Sequence, residues 1–312
     1  MALRVRHKRQ LCKTCAEEFE RFEDAVQEVS QEIGVPIEGV LCSVLHEGAR
    51  QGNKRVVQAM LQEGLIQHTA REPSKEKEAA DQVGVSLVES AALSRASEES
   101  LDCFRFVLST NPDPSDIVMA LALACNGGRV HVVEELVRRR EQLGLDLNKG
   151  VDSNGNTPLI LAALRSSLPS MRVLLCEGKV DPNITNVFGS TALAKFLSRD
   201  DATPEILDGV LLLLEHNAAI DIQDNFGDSP IMKAVRQRHT HCAQAMIAQA
   251  GSAGDVCYQR NLAGMSMLSE CVRNLDIGSI EFLLRKPEDG GAGLEMGKWE
   301  EAIYEKSSYH LA

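Results

Sequence analysis

The sequence predicts an all-α protein built from repeated pairs of short helices. Apolar residues make up 44% of the 312 residues and recur at helical spacing, whereas aromatic residues make up only 4%. This composition fits a core of small aliphatic side chains between thin helical layers. Turn glycines recur at intervals of 34, 38 and 37 residues, at Gly155, Gly189, Gly227 and Gly264. Such a period is typical of stacked helical repeats.

The clearest repeated unit covers residues 152–183. An Asn-Gly pair ending at Gly155 predicts a tight turn, because glycine readily adopts a positive φ. Thr157 is a good N-cap for the helix that follows, and Pro158 suits the first helical position. Gly178 is expected to end the second helix in the left-handed conformation. The apolar positions of the two helices are Leu159, Ala162, Ala163, Leu168, Met171, Leu174 and Leu175.

This unit resembles an ankyrin repeat, whose core motif is Thr-Pro-Leu-His-x-Ala. The match begins at Thr157, while Ile160 stands at the family's His position and Ser166 at the Gly position between the helices. The resemblance covers about residues 41–286. It implies an ankyrin-repeat solenoid of about seven helix-turn-helix repeats with short β-turn fingers. Because one repeat cannot bury its own apolar faces, the repeats are expected to stack.

The same motif places the other repeats along the chain. The first repeat has the family's His at His46, the Gly between the helices at Gly52 and the terminal Gly at Gly64. Polar residues 67–80 predict a loop or an insertion after it. In the fifth repeat, Asn217 is expected to replace the terminal glycine. The remaining repeats begin near residues 81, 121, 186, 224 and 261.

The two ends of the chain depart from the repeat pattern. Residues 1–10 are basic and predict a disordered tail, or alternatively a nuclear-import or acidic-surface contact. Residues 11–36 predict an amphipathic N-terminal helix that caps the first repeat. The alternative is self-association through a short coiled coil of residues 11–33. Residues 287–312 predict a C-terminal tail with a short capping helix, or a docking peptide for a partner.

Charge and cysteine usage narrow the class of protein. The net charge of −12 argues against general nucleic-acid binding, which requires a broad basic surface. We expect no secretory leader and no membrane span, since no apolar stretch is long enough. The nine cysteines lie mostly in apolar helical runs and predict buried free thiols in the cytosol or the nucleus. They are Cys12, Cys15, Cys42, Cys103, Cys125, Cys176, Cys242, Cys257 and Cys271.

The sequence offers no convincing set of catalytic or metal-binding residues. A zinc site could be drawn from Cys12, Cys15, Cys42 and His46, but it lacks the usual second closely spaced pair. The His-Thr-His-Cys run at 239–242 places its histidines on different faces of a helix. No phosphate-binding loop, nucleophile elbow or kinase motif is present. We therefore expect no catalysis and no cofactor.

These observations predict a non-catalytic module for protein–protein interaction. The alternatives are a regulatory or targeting fragment of a larger enzyme or signalling protein, and a zinc-dependent adaptor built on the N-terminal cysteines. The resemblance implies that a partner would contact the turn tips and inner-helix ends of repeats four to seven. The residues assigned to that surface are Asn154, Asn156, Arg165, Phe188, Arg199, Phe226, Asp228, Arg236, Leu262, Met265 and Arg273.

The composition of this surface suggests the chemistry of the partner. Aromatic and aliphatic side chains at successive turn tips would form an apolar edge, and one arginine per repeat would form a row beside it. Arginine binds carboxylate and phosphate through two parallel hydrogen bonds, so an acidic or phosphorylated segment with an apolar anchor would fit. The alternative interpretation is structural. Arginine also suits helix C-termini, and a turn phenylalanine could pack against the next finger.

Overall fold

A computed structural model describes residues 21, 24–32, 34, 36–62, 66–67, 70–71, 84–95, 97–198, 205–249, 253–274 and 276–284. The chain forms two compact units, residues 1–124 and 125–312. The predicted tails at 1–10 and 287–312 lie outside the described residues, as do most of the predicted insertion and the first half of the predicted N-terminal helix. Residues 24–32 are helical. The capping role of that helix stays a prediction.

The described part of the first unit consists mainly of short helices. Its helices are α1 (Ile37–Arg50), α2 (Lys54–Gln62), α3 (Leu87–Ala92) and α4 (Glu98–Ser109), and α5 (Pro114–Asn126) ends just past its boundary. Helix α1 packs against α2, α3 and α4. The buried His46 on α1 is hydrogen-bonded through Nδ1 to Ser90 Oγ at 2.7 Å and through Nε2 to the Ala70 carbonyl at 3.2 Å. His46 therefore connects α1 to α3 and to the segment before it.

The second unit continues the pattern of helix pairs. Its helices are α6 (Val130–Arg138), α7 (Arg140–Leu143), α8 (Pro158–Leu164), α9 (Leu168–Arg172), α10 (Ala192–Phe196), α11 (Glu205–Glu215), α12 (Pro230–Arg236), α13 (Thr240–Gln249), α14 (Ala253–Tyr258), α15 (Met267–Asn274) and α16 (Ile277–Leu284). A π-helical turn, Val173–Glu177, extends α9. The first helices of successive pairs pack on each other, α8 on α10, α10 on α12, and α12 on α15. Stacking of short helix pairs is thus present in this unit.

The predicted helix start at Thr157 is confirmed, and the next repeat begins its first helix in the same way. The Thr157 hydroxyl accepts a hydrogen bond from the Ile160 amide at 3.3 Å, and the Thr191 hydroxyl accepts one from the Ala194 amide at 3.2 Å. Pro158 occupies the first helical position, where its missing N–H costs nothing.

The predicted end of the second helix at Gly178 is wrong in its conformation. Gly178 has a right-handed φ of −72°, and Lys179 takes the positive φ of 51°. The π-helical turn accounts for the displacement, because the Gly178 amide bonds five residues back, to the Val173 carbonyl. Glycine is still required at 178, since a Cβ atom there would lie 2.5 Å from the Leu174 carbonyl oxygen. Ser166 and Asn217 do adopt the positive φ expected of the glycines they replace.

The regular secondary structure of the described residues is helical, which confirms the predicted all-α class. Extended pairing there is limited to isolated bridges such as that between Arg260 and Ser266. No helix in the described parts of the chain has the length and apolarity needed to cross a membrane. Of the described cysteines, only Cys176 is exposed.

Candidate functional site

Four turn fingers in the second unit share one hydrogen-bonding pattern. In each finger a side-chain oxygen accepts hydrogen bonds from the backbone amides two and four residues later. At Asp224, for example, Oδ1 accepts from the Phe226 amide at 2.9 Å and from the Asp228 amide at 3.0 Å. The same pattern is formed at Asp152, Asn186 and Asn261. An Asp or Asn at the start of the turn therefore determines the shape of each finger.

Backbone hydrogen bonds also connect each finger to the next. The Val187 amide donates to the Asn154 carbonyl, the Asn225 amide to the Phe188 carbonyl, and the Leu262 amide to the Phe226 carbonyl, each at 3.0 Å. Three residues assigned to the binding surface thus hold the neighbouring finger through their carbonyl groups. Their side chains remain available for other contacts.

The apolar side chains at the finger tips are exposed. The exposed fraction is 46% at Phe188, 70% at Phe226 and 81% at Leu262. The adjacent Val187 is 58% exposed. The alternative in which a tip phenylalanine is buried against the next finger does not hold at Phe226, which remains mostly accessible.

Two polar residues assigned to the binding surface are buried between fingers. Asn156 donates to Asp152 Oδ2 and accepts from Asn186 Nδ2, both at 2.8 Å. Asp228 accepts from Asn261 Nδ2 at 2.7 Å. Because their polar atoms already satisfy neighbouring groups, these two side chains belong to the scaffold of the fingers and are not presented at the tips as expected.

The arginines do not form one row in register. Arg165 lies ten residues after its finger glycine and hydrogen-bonds through Nε to Asn126 Oδ1 at 2.8 Å. Arg236 and Arg273 lie nine residues after theirs, which on a helix is a rotation of about 100°. Arg199, at the tenth position like Arg165, lies outside the described residues. Among the described arginines of the expected row, Arg236 and Arg273 share a register and Arg165 does not.

Arg236 is held by two carboxylates from successive repeats. Its guanidinium donates to Asp228 Oδ2 at 2.6 Å and to Asp228 Oδ1 at 2.9 Å, and also to Glu270 Oε1 at 3.2 Å. Burial alone would raise the pKa of Asp228, but the hydrogen bonds from Arg236 and Asn261 and the positive charges of Arg236 and Lys233 outweigh it and lower that pKa. Arg273 also belongs to this charge network. Its Nη1 atom lies 3.9 Å from Glu270 Oε2, and its side chain is 68% exposed.

The finger tips border two neighbouring recesses of the second unit. The first, of about 410 Å³, lies between Phe188 and Phe226 and includes Asp228 and Arg236 in its lining. The second, of about 490 Å³, is bordered by Phe226, Leu262, Met265, Arg236 and Arg273. The structure thus brings seven of the assigned residues together. Asn154, Asn156 and Arg165 line neither recess.

Four further charged residues of the recesses were missed by the sequence analysis. Lys195, Asp224 and Lys233 line the first recess, and Glu270 lines the second. Lys195, Lys233 and Glu270 all lie six residues after their finger glycines. Aligning the repeats on those glycines would have placed them at one position of the inner helix.

The residues of the rejected metal sites have other roles or lie outside the described ranges. Cys42 is buried, and His46 is occupied by its hydrogen bonds to Ser90 and Ala70. Cys12 and Cys15 are outside the described residues. Within the described ranges, no group of three or more His, Cys, Asp or Glu side chains is arranged to hold a metal ion.

Comparison with known protein families places a match on the central part of the chain. Residues 91–186 match the model of ankyrin repeats, with three copies. The matched segment extends from the end of α3 to the finger that begins at Asn186. The comparison with curated proteins found no match to this chain.

Proposed function

Because this chain carries ankyrin repeats, a fold whose usual role is protein–protein interaction, we propose that it is a non-catalytic adaptor that binds a segment of another protein. The partner segment lies along the finger tips and inner-helix ends of the later repeats. The match covers three repeats, and the count of about seven stays a prediction.

The observation that carries this proposal is the succession of exposed apolar side chains beside two recesses, the first of which is lined by one more cation than carboxylates. Phe188, Phe226 and Leu262 stand on fingers that are connected by backbone hydrogen bonds. A rigid scaffold that presents apolar side chains to solvent loses little conformational entropy when a partner covers them. Arg273 and Lys195 supply positive charge next to these side chains, on a chain of net charge −12. An acidic segment with an apolar anchor matches both features.

Site-directed photo-crosslinking in cell extract tests where the partner lies. A photoreactive amino acid replaces Leu262 in one variant and Ile277 in a second, because both side chains are highly exposed, at 81% and 65%, on the same unit. We expect crosslinked products at position 262 and few at 277. The products at 262 should disappear when Phe226→Ser is added. Equal crosslinking at the two positions, or products indifferent to Phe226→Ser, would count against the proposed surface.

A further proposal concerns the compartment in which the protein acts. The buried thiols Cys42, Cys103 and Cys125 support a role in a reducing compartment, the cytosol or the nucleus.

Self-association through residues 11–33 is proposed from the apolar stripe of that segment, of which residues 24–32 are helical. Light scattering at several protein concentrations tests it, and a constant mass would contradict it.

A further inference from the structure

The recess between Phe188 and Phe226 holds a lysine that has no acidic partner among the residues that the structure describes. Lys195 lies on α10, is half-buried, and places its ammonium 5.4 Å from the centre of the Phe188 ring. Such a position over an aromatic face is favourable for a cation but does not neutralise it. Among the described residues, no carboxylate forms an ion pair with Lys195, whereas Lys233 in the same recess is paired.

The acidic side chains of the recess are already occupied. Asp224 Oδ2 lies 2.6 Å from the Lys233 ammonium, while its Oδ1 accepts two backbone amides of its own finger. Both oxygens of Asp228 accept hydrogen bonds from Arg236, and Oδ1 also accepts one from Asn261. Neither carboxylate can turn to Lys195 without giving up a hydrogen bond or ion pair that it already forms.

The surroundings of Lys195 also disfavour the charged form of its side chain. Burial lowers the pKa of Lys195, the charge of Lys233 lowers it further, and Asp224 opposes this only in part. Three cationic and two acidic side chains line the recess. Counting Glu270 and Arg273 of the neighbouring recess leaves the same excess of one positive charge. An anion that entered the recess would meet one cation that no described carboxylate compensates.

We infer, building on the proposed function, that this recess binds the carboxylate of an Asp or Glu side chain in the partner segment through Lys195. An apolar side chain next to that acid in the partner would lie between the rings of Phe188 and Phe226. The recess, at about 410 Å³, has room for both. The partner segment is therefore one that carries an acidic and an apolar residue close together.

The charges in the recess favour a carboxylate over a phosphate. Recognition of phosphorylated residues relies on several free cations, usually arginines that bind two oxygens at once. Here both terminal nitrogens of Arg236 already donate hydrogen bonds to Asp228 and Glu270, and Lys233 forms an ion pair with Asp224. One lysine with a single excess charge matches a monoanion better than a phosphate dianion.

Selection of peptides on the 312-residue chain tests the inference. A phage-displayed library of random 12-residue peptides is selected on the wild type, and binders are retained if Phe226→Ser weakens them. We expect these peptides to share an acidic residue close to an apolar one. Replacing that acid with its amide should weaken binding to the wild type about 10-fold, the usual effect of losing one charge-assisted hydrogen bond. The same replacement should have little effect on binding to Lys195→Met.

Matched variants separate charge from folding. Lys195→Arg keeps the positive charge and should retain the acid preference, whereas Lys149→Met removes an exposed lysine outside both recesses and should leave binding unchanged. A phosphoserine in place of the acid should bind no more tightly than Glu. Phosphoserine binding 10-fold tighter, or equal acid preference in Lys195→Met and the wild type, overturns the inference.

The same selection distinguishes failure of the inference from failure of the proposed function. Peptides that depend on Phe226 but show no acid preference would leave the binding surface in place and reject the role of Lys195. If no peptide depends on Phe226, the proposed surface itself is rejected.

Discussion

At the scale of single residues, Gly227 combines two requirements in one position. Its φ is +75°, a conformation that side chains rarely adopt, and a Cβ atom there would lie 2.7 Å from the Leu262 amide nitrogen. That amide donates the hydrogen bond that connects the two fingers. Glycine at this position thus permits the positive φ of the turn and leaves room for the backbone of the next finger.

Gly227→Ala should lower the free energy of unfolding by about 2 kcal/mol, from backbone strain together with the displaced finger. Gly144→Ala is the control, because Gly144 has a φ of +62° but no atom within 4 Å of an added Cβ. It should cost about 1 kcal/mol. Urea unfolding measures both, and amide hydrogen exchange at Leu262 should accelerate only in the first variant. Equal costs would show that contact with the next finger contributes nothing.

At the scale of elements, the start of each inner helix depends on whether its cap is formed. The Thr157 hydroxyl accepts a hydrogen bond from the third amide of α8. Ser229 occupies the same position before α12 but caps no amide, and its buried hydroxyl has no hydrogen-bond partner among the described residues. Identical positions in two repeats thus differ in energetic contribution.

Thr157→Ala should therefore destabilise the protein by about 1 kcal/mol, the usual effect of removing a side-chain cap. Ser229→Ala should change the free energy of unfolding by less than about 0.5 kcal/mol or stabilise the fold, because it removes an unpaired buried hydroxyl. Urea unfolding of the two variants side by side makes the comparison. A loss at Ser229 as large as that at Thr157 would contradict this account.

At the scale of the whole molecule, the second unit contains a charge network across two repeats. Asp228, Arg236 and Glu270 form it, and both carboxylates are buried. The pKa of Asp228 is lower in the folded chain than its ordinary value of 3.8. Ionised Asp228 therefore stabilises the fold at pH values above 3.8, and this stabilisation is lost as the pH falls below 3.8 and the carboxylate becomes protonated.

Arg236→Ala should lower the free energy of unfolding at pH 7 by about 2 kcal/mol, because two buried carboxylates lose a partner. Without Arg236 the pKa of Asp228 should rise, so the variant should lose less of its free energy of unfolding when the pH is lowered. The urea midpoint of the wild type should fall between pH 5 and pH 3 more steeply than that of the variant. Arg165→Ala, which breaks one exposed hydrogen bond, should cost less than about 0.5 kcal/mol. Parallel slopes for wild type and Arg236→Ala would exclude this role of the network.

The repeat architecture was predictable from the sequence because its signals are local. Thr157 and Pro158 define a helix start, and Ser166 and Asn217 were identified as replacements for glycine by their place in the period. Each of these signals depends on the conformation of a few adjacent residues. The exposed tips Phe188, Phe226 and Leu262 could be located for the same reason.

The candidate site was only partly predictable, because its polar residues depend on neighbours one repeat away. The sequence places Asn156 and Asp228 at finger tips, but their partners Asn186 and Asn261, on the next fingers, draw them inside. The displacement of the left-handed residue from Gly178 to Lys179 likewise follows from an extra residue in the last helical turn.

By itself, then, the sequence determined the helical class, the repeat period, the helix starts and the apolar finger tips of this protein. Only the tertiary structure decided which charges are free. Arg236 and Lys195 both appear in the sequence as cations on inner helices, yet carboxylates of two successive repeats engage the first, whereas no carboxylate within the described ranges forms an ion pair with the second. The physical reason is that ion pairing depends on distances of a few ångströms, and the stacking of repeats sets those between residues such as Arg236 and Glu270, which are 34 positions apart.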